Sequence, residues 1–291
     1  MKFWEKFLKI IFKIGAQRQL KKVSPKLLEP VLAKSAMMLD PEMITEIKSY
    51  IIGRQTTQGG FADRGEKCDL YYTLFGYYIA EAFSVTEVII PLKKYVAEIV
   101  KTNALSGVHC YCGAILYTKL VGLDSTTERL RKQIVNDLLQ SDSKQPEYVA
   151  FLGILALYYL EDFRNIQRVV DQFNRSFILG NHPCPVVAAT AVMMGMAGNR
   201  QKSATDMLKS FFREESGFVA LQRTPAADLL STGVALYALH FLDADIRLIK
   251  PDCLSFVDNL YDNGGFRATL ADYQTDVEYT FYGLLALGSM S

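Results

Sequence analysis

From residue 40 onward the chain alternates two apolar patterns with a period of about 40 residues, the sign of a repeat architecture. One pattern is amphipathic. Segments 41–55, 86–102, 125–140, 163–178, 200–213 and 245–261 keep charges such as Lys93, Lys94, Arg131, Lys132, Arg164 and Arg168 on a solvated face. The other is apolar nearly all round, over 68–83, 108–121, 146–160, 185–197, 227–241 and 275–288, with Phe151 to Tyr159 as an example. A helix that is greasy on every side has to be buried, so the second set predicts an inner layer behind the first. Strand signals are poor, because the apolar runs are long and the turn signals widely spaced. Six alternating pairs predict an all-α fold, an (α/α)6 toroid of six inner and six outer helices. An open solenoid is the alternative, but its end repeats need polar caps. The last inner segment is as apolar as the others, which favours closure onto the first.

The joints between the two kinds of segment repeat as well. Gly59-Gly60-Phe61 precedes Asp69 and Thr73, Gly217-Phe218 precedes Asp228 and Thr232, and Gly264-Gly265-Phe266 precedes Asp276 and Thr280. Adjacent glycines stop a helix, since the turn that follows is cheap only without a Cβ. Each aspartate then stands where an N-cap or first-turn carboxylate belongs, with the threonine one turn further along the same face.

Residues 1–38 form a separate, basic amphipathic extension, and 39–291 the toroid. Within 1–22, Lys2, Lys6, Lys9 and Lys13 line one stripe, while Phe3, Trp4, Phe7, Leu8, Ile11 and Ile14 cover most of the rest. Such a helix either lies in a membrane interface or packs its apolar face on the body of the protein. The formal charge of +1 argues against a nucleic-acid partner, although it hides an asymmetry. Nine bases and two acids over residues 1–38 leave 23 bases against 29 acids in the remainder. Five cysteines without paired spacing, and charges that interrupt any secretory apolar core, point to reduced thiols and a cytoplasmic setting, with the N-terminal helix as a peripheral membrane contact.

Three sets of residues could carry chemistry. In a toroid the starts of the inner helices gather at one rim, which would collect Asp69, Asp228 and Asp276. Each is either an N-cap or, desolvated, a general acid or base. Asp69 and Asp276 are the catalytic candidates, with Tyr72 and Tyr279 placed to relay protons. A second set, His109, Cys110, Cys112, His182 and Cys184, falls at or near inner-helix starts and could bind zinc, which prefers sulfur and imidazole ligands. The alternative is that these cysteines are small buried residues. The third set is aromatic. Tyr71, Phe75, Tyr111 and Tyr282 would build a greasy channel with Asp228 at its rim, suited to an isoprenoid chain and to cation stabilisation, unless they pack between the two layers.

These motifs resemble the protein prenyltransferase β-subunit and squalene/hopene cyclase superfamily. The Gly-Gly-Phe turns, the Asp-x-x-x-Thr openings and Gln55-x-x-x-Gly59-x-Phe61, similar to the cyclases' Gln-x-x-x-Gly-x-Trp, carry the resemblance over residues 40–291. It implies the toroid fold and an isoprenoid-handling protein, a divergent prenyltransferase or terpene cyclase acting on a prenyl or terpenoid chain. The family's catalytic strings are missing, however. Zinc prenyltransferases carry His before the threonine, where this chain has Tyr72, Ser231 and Tyr279. Neither Asp-x-Asp-Asp nor Asp-Asp-x-x-Asp occurs. Cys110-Tyr111-Cys112-Gly113 also resembles the Cys-Tyr-Gly of lantibiotic cyclases, which use zinc. The competing expectation is a non-catalytic toroid that binds a lipid, a peptide or a protein partner as an accessory subunit.

Overall fold

A computed structural model describes residues 22–140, 147–176, 182–198 and 202–291. Most of the basic helix expected over residues 1–22 lies outside the described residues. Thirteen α-helices occur among them: α1 (Leu28–Ser35), α2 (Pro41–Arg54), α3 (Leu70–Ala82), α4 (Ile89–Thr102), α5 (Gly107–Leu120), α6 (Ser125–Gln140), α7 (Glu147–Tyr159), α8 (Phe163–Ser176), α9 (Cys184–Met196), α10 (Lys202–Lys209), α11 (Leu229–Phe241), α12 (Lys250–Asp258) and α13 (Val277–Met290).

The inner helices α3, α5, α7, α9, α11 and α13 each pack on the next, and α13 packs back on α3, so the ring is closed. Helices α2, α4, α6, α8, α10 and α12 form the outer layer. This is the predicted (α/α)6 toroid. Two outer helices are shorter than their apolar pattern suggests. After α10 the chain turns so that Phe212 can bridge to Phe218, and Pro251 at the start of α12 presets the helical backbone there.

The structure adds short strands where the sequence shows little sign of them. β1 (Phe61–Ala62) pairs antiparallel with β2 (Cys68–Asp69). β3 (Tyr261–Asp262), β4 (Gly265–Arg267) and β5 (Thr275–Asp276) form a second small sheet. Each ladder folds a glycine-turn phenylalanine back against a capping aspartate, Phe61 opposite Asp69 and Phe266 opposite Asp276. These ladders are too short to show a strand periodicity.

The Asp-x-x-x-Thr motif has a definite local job. The Asp69, Asp228 and Asp276 carboxylates accept from the amides of Tyr72, Ser231 and Tyr279 at 2.8, 2.7 and 2.8 Å. The hydroxyls of Thr73, Thr232 and Thr280 accept from the buried amides of Phe61, Phe218 and Phe266 at 3.0, 2.9 and 3.1 Å. One helix start thereby anchors both its own first turn and the preceding glycine turn. The phenylalanine rings then lie on small residues one to two turns along: a Cβ at Gly76 would stand 2.3 Å from the Phe61 ring, and one at Gly283 would stand 2.6 Å from Phe266. Gly59, at φ +95°, has the left-handed backbone the turn requires, and the Gln55 amide ties its carbonyl to that of Val88, at 2.8 Å each.

Residues 23–38, expected to belong to an extension, pack into the body instead. Val31 and Leu32 are fully buried, and α1 lies across the ends of α13 and α3. Its carbonyls come so close that a Cβ on Gly288 would stand 1.9 Å from the Val31 oxygen. Polar contacts fix the helix over the C-terminal ends of the inner ring. The Tyr237 hydroxyl donates to the Lys26 carbonyl at 3.0 Å, and Lys26 donates to the Phe241 carbonyl at 3.1 Å. Glu29 accepts from Tyr159 and pairs with Lys119 at 2.9 Å. A ring whose helix ends are apolar needs such a cover, because otherwise they would face water.

Two predictions follow from this packing. Thr73→Val leaves the buried Phe61 amide without its acceptor and is expected to cost about 1–3 kcal/mol in chemical denaturation. Thr118→Val, which removes only an i−4 contact to Ala114 within a helix, serves as the near-neutral control. Gly288→Ala should cost about 1–3 kcal/mol by forcing α1 off the ring, measured in the same way.

Candidate functional site

The closed ring encloses a chamber of about 540 Å³. Its wall follows the helical period. The second residue of every inner helix lines it: Tyr71, Val108, Tyr148, Pro185, Leu230 and Glu278. One turn deeper come Phe75, Leu152, Ala189, Val234 and Tyr282, and Tyr237 and Leu285 stand below them. Leu28 of α1 lies at the floor. The mouth is the rim of helix N-termini, where His109 and Tyr148 are exposed. From Glu278 to Leu285 the wall descends seven residues, about 10 Å.

The two sides of the chamber differ. Along the seam where α3 meets α13 the lining is aromatic, with Phe75 4.8 Å from both Tyr71 and Phe281, 5.7 Å from Tyr282, and Tyr78 5.9 Å from Phe281. The wall contributed by α9 is small and aliphatic, with Ala188, Ala189 and Val192, and α7 beside it adds Tyr148, Phe151 and Leu152 across the ring from the seam.

Glu278 is the polar centre of this apolar chamber. Its two carboxylate oxygens accept from the hydroxyls of Tyr71 at 2.9 Å and Tyr72 at 3.1 Å. Burial pushes its carboxyl above the usual range, and the charge of Asp276 adds to this. Hydrogen bonds from the two tyrosines and the charge of Arg64 work in the other direction. Burial likewise pushes the Tyr71 and Tyr72 phenols up, so both are neutral donors at physiological pH.

The residues expected at the site separate into three groups. Tyr71, Phe75, Tyr282 and Asp69 line the chamber. Asp69, Asp228 and Asp276 all act as caps, and Asp228, which burial pushes up, is not part of the wall. Asp276 is buried against Arg64, whose guanidinium also makes a two-pronged contact with Asp272 at 3.2 and 2.7 Å. The Arg64 charge lies over the ring of Tyr279, 5.4 Å from its centre. Tyr72 donates to Glu278, so the pairing with Asp69 expected for a relay is replaced by one across the seam. Tyr111 is fully buried outside the chamber wall. Glu278 itself was missed. An acid opening an otherwise greasy helix, at the motif position held by Tyr71 and Leu230 in the other copies, is the signal that could have found it.

The residues considered for zinc do not form a ligand set. Cys110, Cys112 and Cys184 are fully buried, while His109 is exposed at the rim. Burial pushes the Cys110 thiol up to about 12, away from the thiolate a metal needs. Among the described residues no three His, Cys, Asp or Glu side chains come together to hold a metal ion. The zinc chemistry of the resembled prenyltransferases and lantibiotic cyclases therefore finds no fit in these residues. All five cysteines are free thiols. No helix among the described residues is long and apolar enough to cross a membrane.

Paired helices closed around a floored apolar chamber define an α/α toroid with an internal cavity. The sequence model of the prenyltransferase alpha-alpha toroid domain matches residues 28–105 and 186–290, and the chain belongs to that family. The match includes α1, in keeping with its place in the body of the fold. No curated protein matches the chain.

The pH dependence of Glu278 is testable. A carboxyl whose folded-state pKa is raised contributes stability below its unfolded value and loses it as pH rises through the folded value. Glu278→Gln is therefore expected to leave the melting temperature nearly unchanged at pH 4 and to raise it at pH 8. Melting curves of both proteins across that range provide the check, and a lower melting temperature for the variant at pH 8 would contradict the assignment.

Proposed function

We propose that this protein binds a prenyl or terpenoid chain in the central chamber and acts on it by acid–base chemistry from Glu278. The observation that carries this reading is a deep hollow, aromatic along its seam, with the Glu278 carboxyl held by two tyrosine hydroxyls below its mouth. At about 540 Å³ the chamber falls within the range of small-molecule sites. At a liquid-like ~30 Å³ per non-hydrogen atom it holds at most about 18 such atoms, the scale of a short isoprenoid. The π faces on the seam side suit a chain that develops positive charge. The family supports a prenyl-handling role.

Acid–base work falls to Glu278 because Asp69, Asp228 and Asp276 are already committed as caps. That same commitment favours a second reading, a toroid that holds the chain without turning it over. For residues 1–22 a membrane contact is proposed on their basic amphipathic pattern alone. The described chain begins at the floor end, opposite the mouth.

The test combines binding with product analysis. Incubation with an isoprenoid hydrocarbon such as β-farnesene should raise the melting temperature saturably, by the equivalent of about 2.7 kcal/mol at 100 times Kd. Val234→Trp, which fills the chamber, should abolish the shift. New terpenoid products that disappear in Glu278→Gln would support catalysis, and binding without products would support the holding role. Neither binding nor turnover would retire the proposal.

A further inference from the structure

We infer that the chamber selects chains whose head is a non-phosphorylated hydrogen-bond donor, a hydroxyl or an amine, and turns away a diphosphate head. This rests on the proposed chain-binding function and specifies its substrate class. The argument begins with what the mouth presents. Glu278 is an acceptor fixed in place by two tyrosine donors, with Asp69 beside it in the wall. Among the described residues no lysine or arginine lines the chamber, and its one imidazole, His109 of α5, stands at the mouth two helices round the ring from Glu278. Arg64, the guanidinium that reaches across the seam, directs its donors to Asp276, to Asp272 and to the Gln274 carbonyl.

A diphosphate needs the opposite environment, with cationic or amide donors converging on its oxygens. Helix N-termini could supply such amides. On the Glu278 side of the rim, in α3, α11 and α13, capping carboxylates already accept amides of the first turn and place negative charge there, and the helices whose N-caps make no side-chain hydrogen bond, α5 and α9, do not adjoin α13. A diphosphate at this rim would meet the carboxylates of Asp69 and Glu278 in the wall, with Arg64 already engaged by Asp276 and Asp272. A donor head instead completes the Glu278 carboxyl. An alcohol donates one hydrogen bond to it. An ammonium adds attraction to the aromatic wall, in which Tyr71 stands in the same layer as Glu278 and Phe75 one turn deeper.

Four probes that share one fifteen-carbon skeleton separate the possibilities: β-farnesene, farnesol, farnesylamine and farnesyl diphosphate. Each displaces the fluorescent apolar probe N-phenyl-1-naphthylamine from the full chain at pH 7.5. Farnesol and farnesylamine are expected to bind at least tenfold more tightly than the diphosphate. In Glu278→Gln that gap should shrink at least threefold, and Tyr71→Phe combined with Tyr72→Phe should shrink it too. An advantage of amine over alcohol that vanishes in Glu278→Gln identifies a cationic head, and equal affinities identify the hydroxyl.

Diphosphate binding as tight as farnesol, with β-farnesene also bound, overturns the head-group inference and leaves the chamber reading standing. Failure of all four probes to bind overturns both.

Discussion

Closure of the ring is the constraint on which the rest of this protein depends. A row of six helical hairpins left open would expose two apolar flanks. Bent into a circle, the same row buries both flanks in one seam, where α13 meets α3. Polar groups mark that seam. Arg64 reaches across it to Asp276 and Asp272, and Tyr71 and Tyr72 reach across it to Glu278. The hollow at the centre is a by-product of closing six hairpins. It becomes a chamber with a floor because α1 folds back over the far end.

The three Asp-x-x-x-Thr units illustrate how a chemically suggestive residue can be fully employed in structure. Each aspartate satisfies an amide of its helix, and each threonine holds the glycine turn in place. Repetition is itself the clue, since a cap is wanted at every joint and a catalytic acid at one. Glu278 is different. It occurs once, it faces the cavity, and burial raises its proton affinity. A carboxyl held in an apolar wall against its own solvation preference weakens the fold at neutral pH, and sites of that kind usually serve function.

The chamber also shows how one scaffold can carry different chemistry. The closed toroid is present, and among the residues considered for a zinc centre the three cysteines lie in the packing while His109 stands at the rim. The lining gives the site its character through the six second positions of its top layer, and changing one of them changes the polarity of the mouth. In this chain that position carries a tyrosine, a valine, a second tyrosine, a proline, a leucine and a glutamate, and only the glutamate is charged.

Periodicity alone specified the helices, their inner or outer rank and the glycine joints, because these follow from residues within one or two turns of each other. Closure was foreshadowed by the greasy last helix. The chamber was legible in part: Tyr71, Phe75 and Tyr282 follow from the helical phase, but Tyr111 has the same composition around it and faces away. The tertiary structure decided what long-range contact alone can decide. Glu278 gains its meaning from Tyr71, 207 residues earlier, and Asp276 loses its freedom to Arg64, 212 residues earlier. The role of α1 as a floor was likewise hidden, since eight residues of modest amphipathicity declare no partner until the ring they cover exists.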